Sequence, residues 1–148
     1  MSAHTQNAEH QTITAFITAH GLTMTVERTA DNPHIDNGPG GDRMTHWKCH
    51  ITRRDNGKRR SLTTIFSMGS GHHGAEPDLP SVLDCLASDA AGYANAQSFE
   101  DWAGDYGYDP DSRKAERTYK AVQRAAGKLE TFLGPDLYET LLFHTERE

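Results

Sequence analysis

The chain holds only two cysteines, Cys49 and Cys85, in 148 residues. Nothing requires them to pair, so a disulfide scaffold is excluded as the basis of the fold, and a reduced cytosolic chain is expected. No run of about 18 apolar residues occurs, and no membrane-spanning helix is predicted. The start, "MSAHTQNAEHQTITAF", has no basic segment followed by an apolar one and is not read as a secretory signal. Apolar residues make up only 35% of the chain. That is below the usual globular share and implies a small core with polar loops. The pattern G-x-x-x-x-G-K-[S/T] of a phosphate-cradling loop is absent, as is the G-x-S-x-G elbow of a serine hydrolase. No C-x-x-C occurs, and no H-x-x-x-H falls on a predicted helix, so the zinc spacings are missing too.

Positive charge is absent where negative charge is dense. Residues 76–111 contain nine acids, Glu76, Asp78, Asp84, Asp89, Glu100, Asp101, Asp105, Asp109 and Asp111, and no lysine or arginine. Residues 43–60 show the reverse, with Arg43, Lys48, Arg53, Arg54, Lys58, Arg59 and Arg60 against the single acid Asp55. The net charge of −6 hides this separation. Two faces of opposite potential would steer a charged partner, whereas intramolecular neutralisation would leave only solvated surface.

Periodicity supplies the architecture. Residues 1–8 are polar and are expected to be disordered, leaving one domain over 9–148. Between Glu9 and His20 the apolar Ile13, Phe16 and Ile17 share one helical face, and Gly21 ends it. "LTMTVER" alternates strictly, with Leu22, Met24 and Val26 on one side, and reads as a half-buried strand. The turn-rich segment 29–42 reads as a mobile loop. In "MTHWKCHITRRDNGKRRSLTTIFSM", Trp47, Cys49 and Ile51 share a face, and Leu62, Thr64, Phe66 and Met68 alternate after the turn. Asn56-Gly57 between them is the pair that tolerates positive φ at both central positions of a hairpin. From Leu79 the period becomes helical. Val82, Leu83, Leu86 and Ala90 mark one face, and Ser98 with Asp101 forms an approximate capping box. A long helix follows, buried along Tyr119, Val122, Ala126, Leu129 and Phe132, then Gly134-Pro135 and a last short helix with Leu137, Leu141 and Leu142 inward. Strands before helices predict an α+β fold: an antiparallel sheet of three or more strands with a basic hairpin, covered by a C-terminal helical half.

Three kinds of chemistry compete. His72 and His73, in the glycine-rich "SMGSGHHG", could join Asp84 or Cys85 around a metal, which would make a small metal-dependent hydrolase, or serve as base to Ser67 or Ser70 with Asp78 or Asp84 as orienter. His46 and His50 share a strand face but lie about 13 Å apart at the usual strand rise, too far for one ion. The glycines are read as turn geometry, the cysteines as small buried groups, and no metal or cofactor is expected. The hairpin tip is better founded. Arg53, Arg54, Lys58, Arg59 and Arg60 crowd a two-stranded ribbon and suit phosphate contact, directly on nucleic acid or on an acidic patch; the competing reading is a solvated end that discourages edge aggregation. Asp101, Asp105, Asp109 and Asp111 with Tyr106 form an acidic and aromatic surface suited to a basic groove; ordinary helix-start acids are the alternative.

The strings "FSMGSGH", "VLDCLASDAA", "SFEDWAGDYGYDPDSRKAERTY" and "FLGPDLYETLLF", within residues 66–142, resemble a family of small phage and prophage accessory proteins. The resemblance implies an accessory protein in the cytoplasm of an infected bacterium, binding host machinery stoichiometrically rather than catalysing a reaction. Restriction and CRISPR defence are the kinds of machinery it suggests. The expectation is therefore a non-enzymatic inhibitor of a host nucleic-acid-handling complex, such as a CRISPR effector, with direct nucleic-acid binding through the hairpin as the alternative.

Overall fold

The structure, a computed structural model, describes residues 11–29, 45–68 and 76–147, without the side chain of Met68. The expected disordered segment 1–8, nearly all of the 29–42 loop, and the glycine-rich stretch carrying His72 and His73 lie outside the described residues. The elements run α1 (Ile13–His20), β1 (Thr23–Arg28), β2 (Thr45–Asp55), β3 (Lys58–Met68), α2 (Leu79–Asn95), α3 (Phe99–Asp105), α4 (Arg113–Leu133) and α5 (Pro135–Phe143). Strands in one block followed by helices make this an α+β fold, as the periodicity predicts. No helix among the described residues is long and apolar enough to cross a membrane. The chain divides into two compact units, one from Ile17 to Val82 and one formed by the residues before it and from Leu83 onward.

The first unit is built on an antiparallel sheet in the order β1-β2-β3. Asn56 and Gly57 take φ of 52° and 82°, and Asp55 pairs with Lys58 across them. A two-residue turn with both φ positive matches the twist of the strands it joins, so it closes the hairpin in one register. That register sets the faces. Thr45, Trp47, Cys49, Ile51 and Arg53 of β2 are buried, as is Leu62, the partner of Ile51. The intervening residues look outward: Thr23, Thr25 and Glu27 of β1 stand beside Thr52, His50 and Lys48 of β2. β2 also outruns β1. Pairing between them ends at Thr23–Thr52, while β2 continues with β3 through Arg53, Arg54 and Asp55.

In the second unit, local capping marks the helix starts. The hydroxyl of Ser98 accepts the Asp101 amide at 3.1 Å, and Asp101 in turn accepts the Gln97 amide at 3.0 Å. Ser112 caps α4 in the same way, accepting from Ala115 at 3.0 Å. Such caps satisfy amides that the first helical turn leaves unpaired. Ala115, Ala126, Leu129, Phe132 and Leu133 form the buried stripe of α4, with Tyr119 and Val122 half-buried. Arg147 clamps the end of α5. It donates to the carbonyls of Leu141 and Leu142 at 3.2 and 3.4 Å and ion-pairs with Asp84 at 3.3 Å. Beside it, Ile13 donates its amide to the Glu146 carbonyl and Glu146 donates to Gln11, at 3.0 and 2.8 Å.

Trp102, 2% exposed, is the aromatic centre of this unit. Tyr108 stacks on it at 5.4 Å and 7°, and Tyr119 meets it edge-on at 5.1 Å. Tyr106 lies at 5.3 Å and reaches over Gly92, where an added Cβ would collide with the Tyr106 ring and hydroxyl. Gly92 thus lets α2 and the end of α3 approach closely. With Tyr106 present, Gly92→Ala is expected to cost about 1–2 kcal/mol through overpacking. In a Tyr106→Ala background the same change should stabilise by about 0.8–1 kcal/mol through helix propensity. Chemical denaturation of the four proteins measures the coupling; a value near zero rejects the contact.

Candidate nucleic-acid interface

The open face of the sheet is mostly polar, with Ile65 exposed among its hydroxyls and imidazoles, and carries little negative charge. His46 contacts the Ser67 hydroxyl at 2.6 Å, His50 the Thr63 hydroxyl at 3.1 Å, and Thr23 the Thr52 hydroxyl at 2.8 Å. These cross-strand pairs follow from the register, which places like-facing residues directly opposite each other. Glu27 is the acid of this face, 3.9 Å from Lys48 and 3.8 Å from His50.

Toward the hairpin end the balance turns strongly positive. Between Arg53 and Arg60, five cations face one carboxylate, a net charge of +4. Asp55 is engaged by two of them, with its Oδ2 3.0 Å from Arg60 Nε and 3.8 Å from Arg53 Nη2. Arg54, Lys58 and Arg59 are exposed and form no ion pair among the described residues. Arg54 reaches only the Gly57 carbonyl, at 3.4 Å. Asp55 offsets one of these five charges, and the hairpin end stays net positive.

Arg53 differs from its neighbours. It is 7% exposed, because the two-residue period that buries Trp47, Cys49 and Ile51 carries it to the same side. The expected five-cation surface is therefore Arg54, Lys58, Arg59 and Arg60 outside, with Arg53 beneath. Where β1 stops and β2 continues, the step leaves a cleft of about 440 Å³ lined by His20, Gly21, Thr23, Thr52, Arg53, Arg54 and Arg59. Sequence reasoning included the three arginines but not His20, Thr23 or Thr52. Their meeting depends on how β1 aligns with β2, which local pattern does not carry.

The acidic candidates divide. Asp101 is occupied by the α3 cap, and Asp109 accepts the Asp111 amide at 3.0 Å in the turn that leads into α4. Asp105 and Asp111 are exposed. Tyr106 is 46% exposed, and its phenol is held protonated by partial burial and then by Asp89 and Asp105. Among the described residues no three His, Cys, Asp or Glu side chains gather; the metal alternative rests on His72 and His73, which lie outside them. Cys49 is buried as expected, but Cys85 is exposed, because Val82, Leu83, Ala87 and Ala90 take the inner side of α2. Partial desolvation, then Asp89 and Asp84, push the Cys85 thiol up, which suppresses its thiolate. Comparison with protein families, with curated proteins and with solved structures finds no match for the chain.

His20 reports on the cleft. Burial, and next the Arg53 guanidinium, hold its imidazole below the ordinary value. The folded state therefore favours neutral His20, and protonation favours the unfolded chain. The stability it contributes is present above the unfolded-state pKa and is lost as pH falls through the lower folded value. Acidification from about pH 7 to about pH 5 should cost the wild type more stability than His20→Asn, and the NMR titration midpoint of His20 should lie below that of free histidine. A midpoint at or above the free value contradicts the assignment.

Proposed function

We propose that the chain is a non-enzymatic binding protein whose working surface is the basic end of the β2–β3 hairpin, and whose partner is the phosphate backbone of a nucleic acid. One observation carries this reading: Arg54, Lys58 and Arg59 are exposed together without a compensating carboxylate among the described residues, while Asp55 is shared by Arg53 and Arg60. Like charges crowded at one end of a hairpin repel one another. A polyanion relieves that repulsion and releases its own counterions on binding. The open face beside them, with its hydroxyls, two histidines and Lys48, supplies further donors to phosphate and sugar.

Gel-shift titration with single- and double-stranded oligonucleotides over a series of salt concentrations tests the reading. The affinity should fall steeply with salt, and each of Arg54→Glu, Lys58→Glu and Arg59→Glu should reduce the log–log salt slope by about 1. A triple reversal that folds normally and binds with wild-type affinity rejects it.

A second reading keeps nucleic acid as part of the target but places it inside a host nucleic-acid-handling complex, such as a CRISPR effector, which the protein inhibits. The half-exposed Tyr106, flanked by Asp105 and followed by Asp111, favours it, since an aromatic ring beside carboxylates suits a basic protein groove. Here Asp105→Lys with Tyr106→Ala should weaken binding to a purified effector complex about tenfold while leaving affinity for free oligonucleotide unchanged. Equal losses in both assays, or none in either, exclude a separate acidic contact.

A further inference from the structure

We infer that the cleft beside the start of β1 is a binding site for a single phosphate group, lined by Arg53, Arg54, Arg59 and the Thr23–Thr52 hydroxyl pair. The inference deepens the proposal above, because it assigns the place at which the hairpin holds one phosphate, and it can be tested apart from that proposal.

The shape comes first. β2 continues for three residues past the last β1 partner, and the chain at His20 and Gly21 forms the other wall, which makes a notch rather than a flat sheet surface. Its volume of about 440 Å³ falls within the roughly 300–1,000 Å³ of small-ligand sites. The chemistry comes next. Three arginines and no acidic residue line it. Arg53 belongs to the buried face of β2, whereas Arg54 and its cross-strand partner Arg59 belong to the open face. Donors therefore approach from both sides of the strand. A planar carboxylate is satisfied by one guanidinium fork in its own plane, but a tetrahedral oxyanion accepts from several directions at once. The two threonine hydroxyls, 2.8 Å apart, share one hydrogen bond. Whichever donates, the other keeps its proton for a ligand. The opposing terms are the C-terminal end of α1, whose carbonyls carry roughly half a negative charge, and Asp55, which lies 3.8 Å from Arg53 and takes up part of its charge; Arg54 and Arg59 form no ion pair among the described residues and outweigh the helix end.

The probe is inorganic phosphate, measured by thermal unfolding and calorimetric titration against chloride at matched ionic strength. Phosphate should raise the unfolding temperature where chloride does not. Arg54→Gln and Arg59→Gln should each lower phosphate affinity about tenfold, as expected for loss of a charge-assisted hydrogen bond, and Lys58→Gln, on the same hairpin but outside the cleft, less than about twofold. Both arginines are exposed, so these variants should fold. No stabilisation beyond that of chloride, or equal losses for Lys58→Gln and Arg59→Gln, overturns the inference. An oligonucleotide arm separates the sources of the phosphate. Phosphate binding that competes with an oligonucleotide assigns the cleft to the nucleic-acid backbone. Phosphate binding with no oligonucleotide binding keeps the site, assigns it to a free phosphorylated ligand and removes the proposed function. Oligonucleotide binding without a phosphate effect leaves the proposed function standing and removes the site.

Discussion

The alignment of β2 with β3 is the constraint on which the sheet and its surface both depend. It is set by two consecutive residues with positive φ, Asn56 and Gly57. Side chains alternate with a period of two, so a slip of one position would send Trp47, Cys49 and Ile51 to solvent and bring Lys48, His50 and Thr52 inward. The same alignment decides which cations are covered. Arg53 and Arg60 share a side with Asp55, whereas Arg54 and Arg59 face the other way. One carboxylate is therefore reserved for one side of the hairpin, and the opposite side keeps its charge. A local turn preference becomes a distribution of potential over the surface.

Much of this was legible in the sequence because the signals are local. The alternation on both sides of Asn56-Gly57 specified the hairpin, and Ser98 and Gly134-Pro135 stand where helices begin or end. Arg53 was less legible only because the basic run invites reading as a block. Its place in the odd-numbered series with Trp47, Cys49 and Ile51 already signals burial. Other features required non-local information. The cleft exists because β1 and β2 differ in where they stop, and no stretch of sequence states that offset. The rings around Trp102 come from α3, the turn after it and α4, with Tyr93 of α2 joining through Tyr119. The exposure of Cys85 follows from which face of α2 is covered, a matter of tertiary placement rather than residue type.

The acidic block illustrates how formal charge overstates available charge. Asp101 and Asp109 are placed where amides need acceptors, so part of their role is to start helices. Asp84 is held by Arg147. What remains outward in the candidate cluster is Asp105, Asp111 and the face of Tyr106. On the basic side the accounting runs the other way, since a single carboxylate serves two arginines and three cations keep their full charge.

The backbone bonds that join Gln11 and Ile13 to Glu146 connect positions more than a hundred residues apart. Contacts at such sequence separation carry the largest loop-closure entropy and form late. During synthesis, Gln11 and Ile13 leave the ribosome long before Glu146, their backbone partner, exists. The hairpin, complete within about two dozen residues, has no such delay. The nascent chain thus presents its cationic ribbon well before its two ends can meet, and any ligand of that ribbon can reach it on the ribosome.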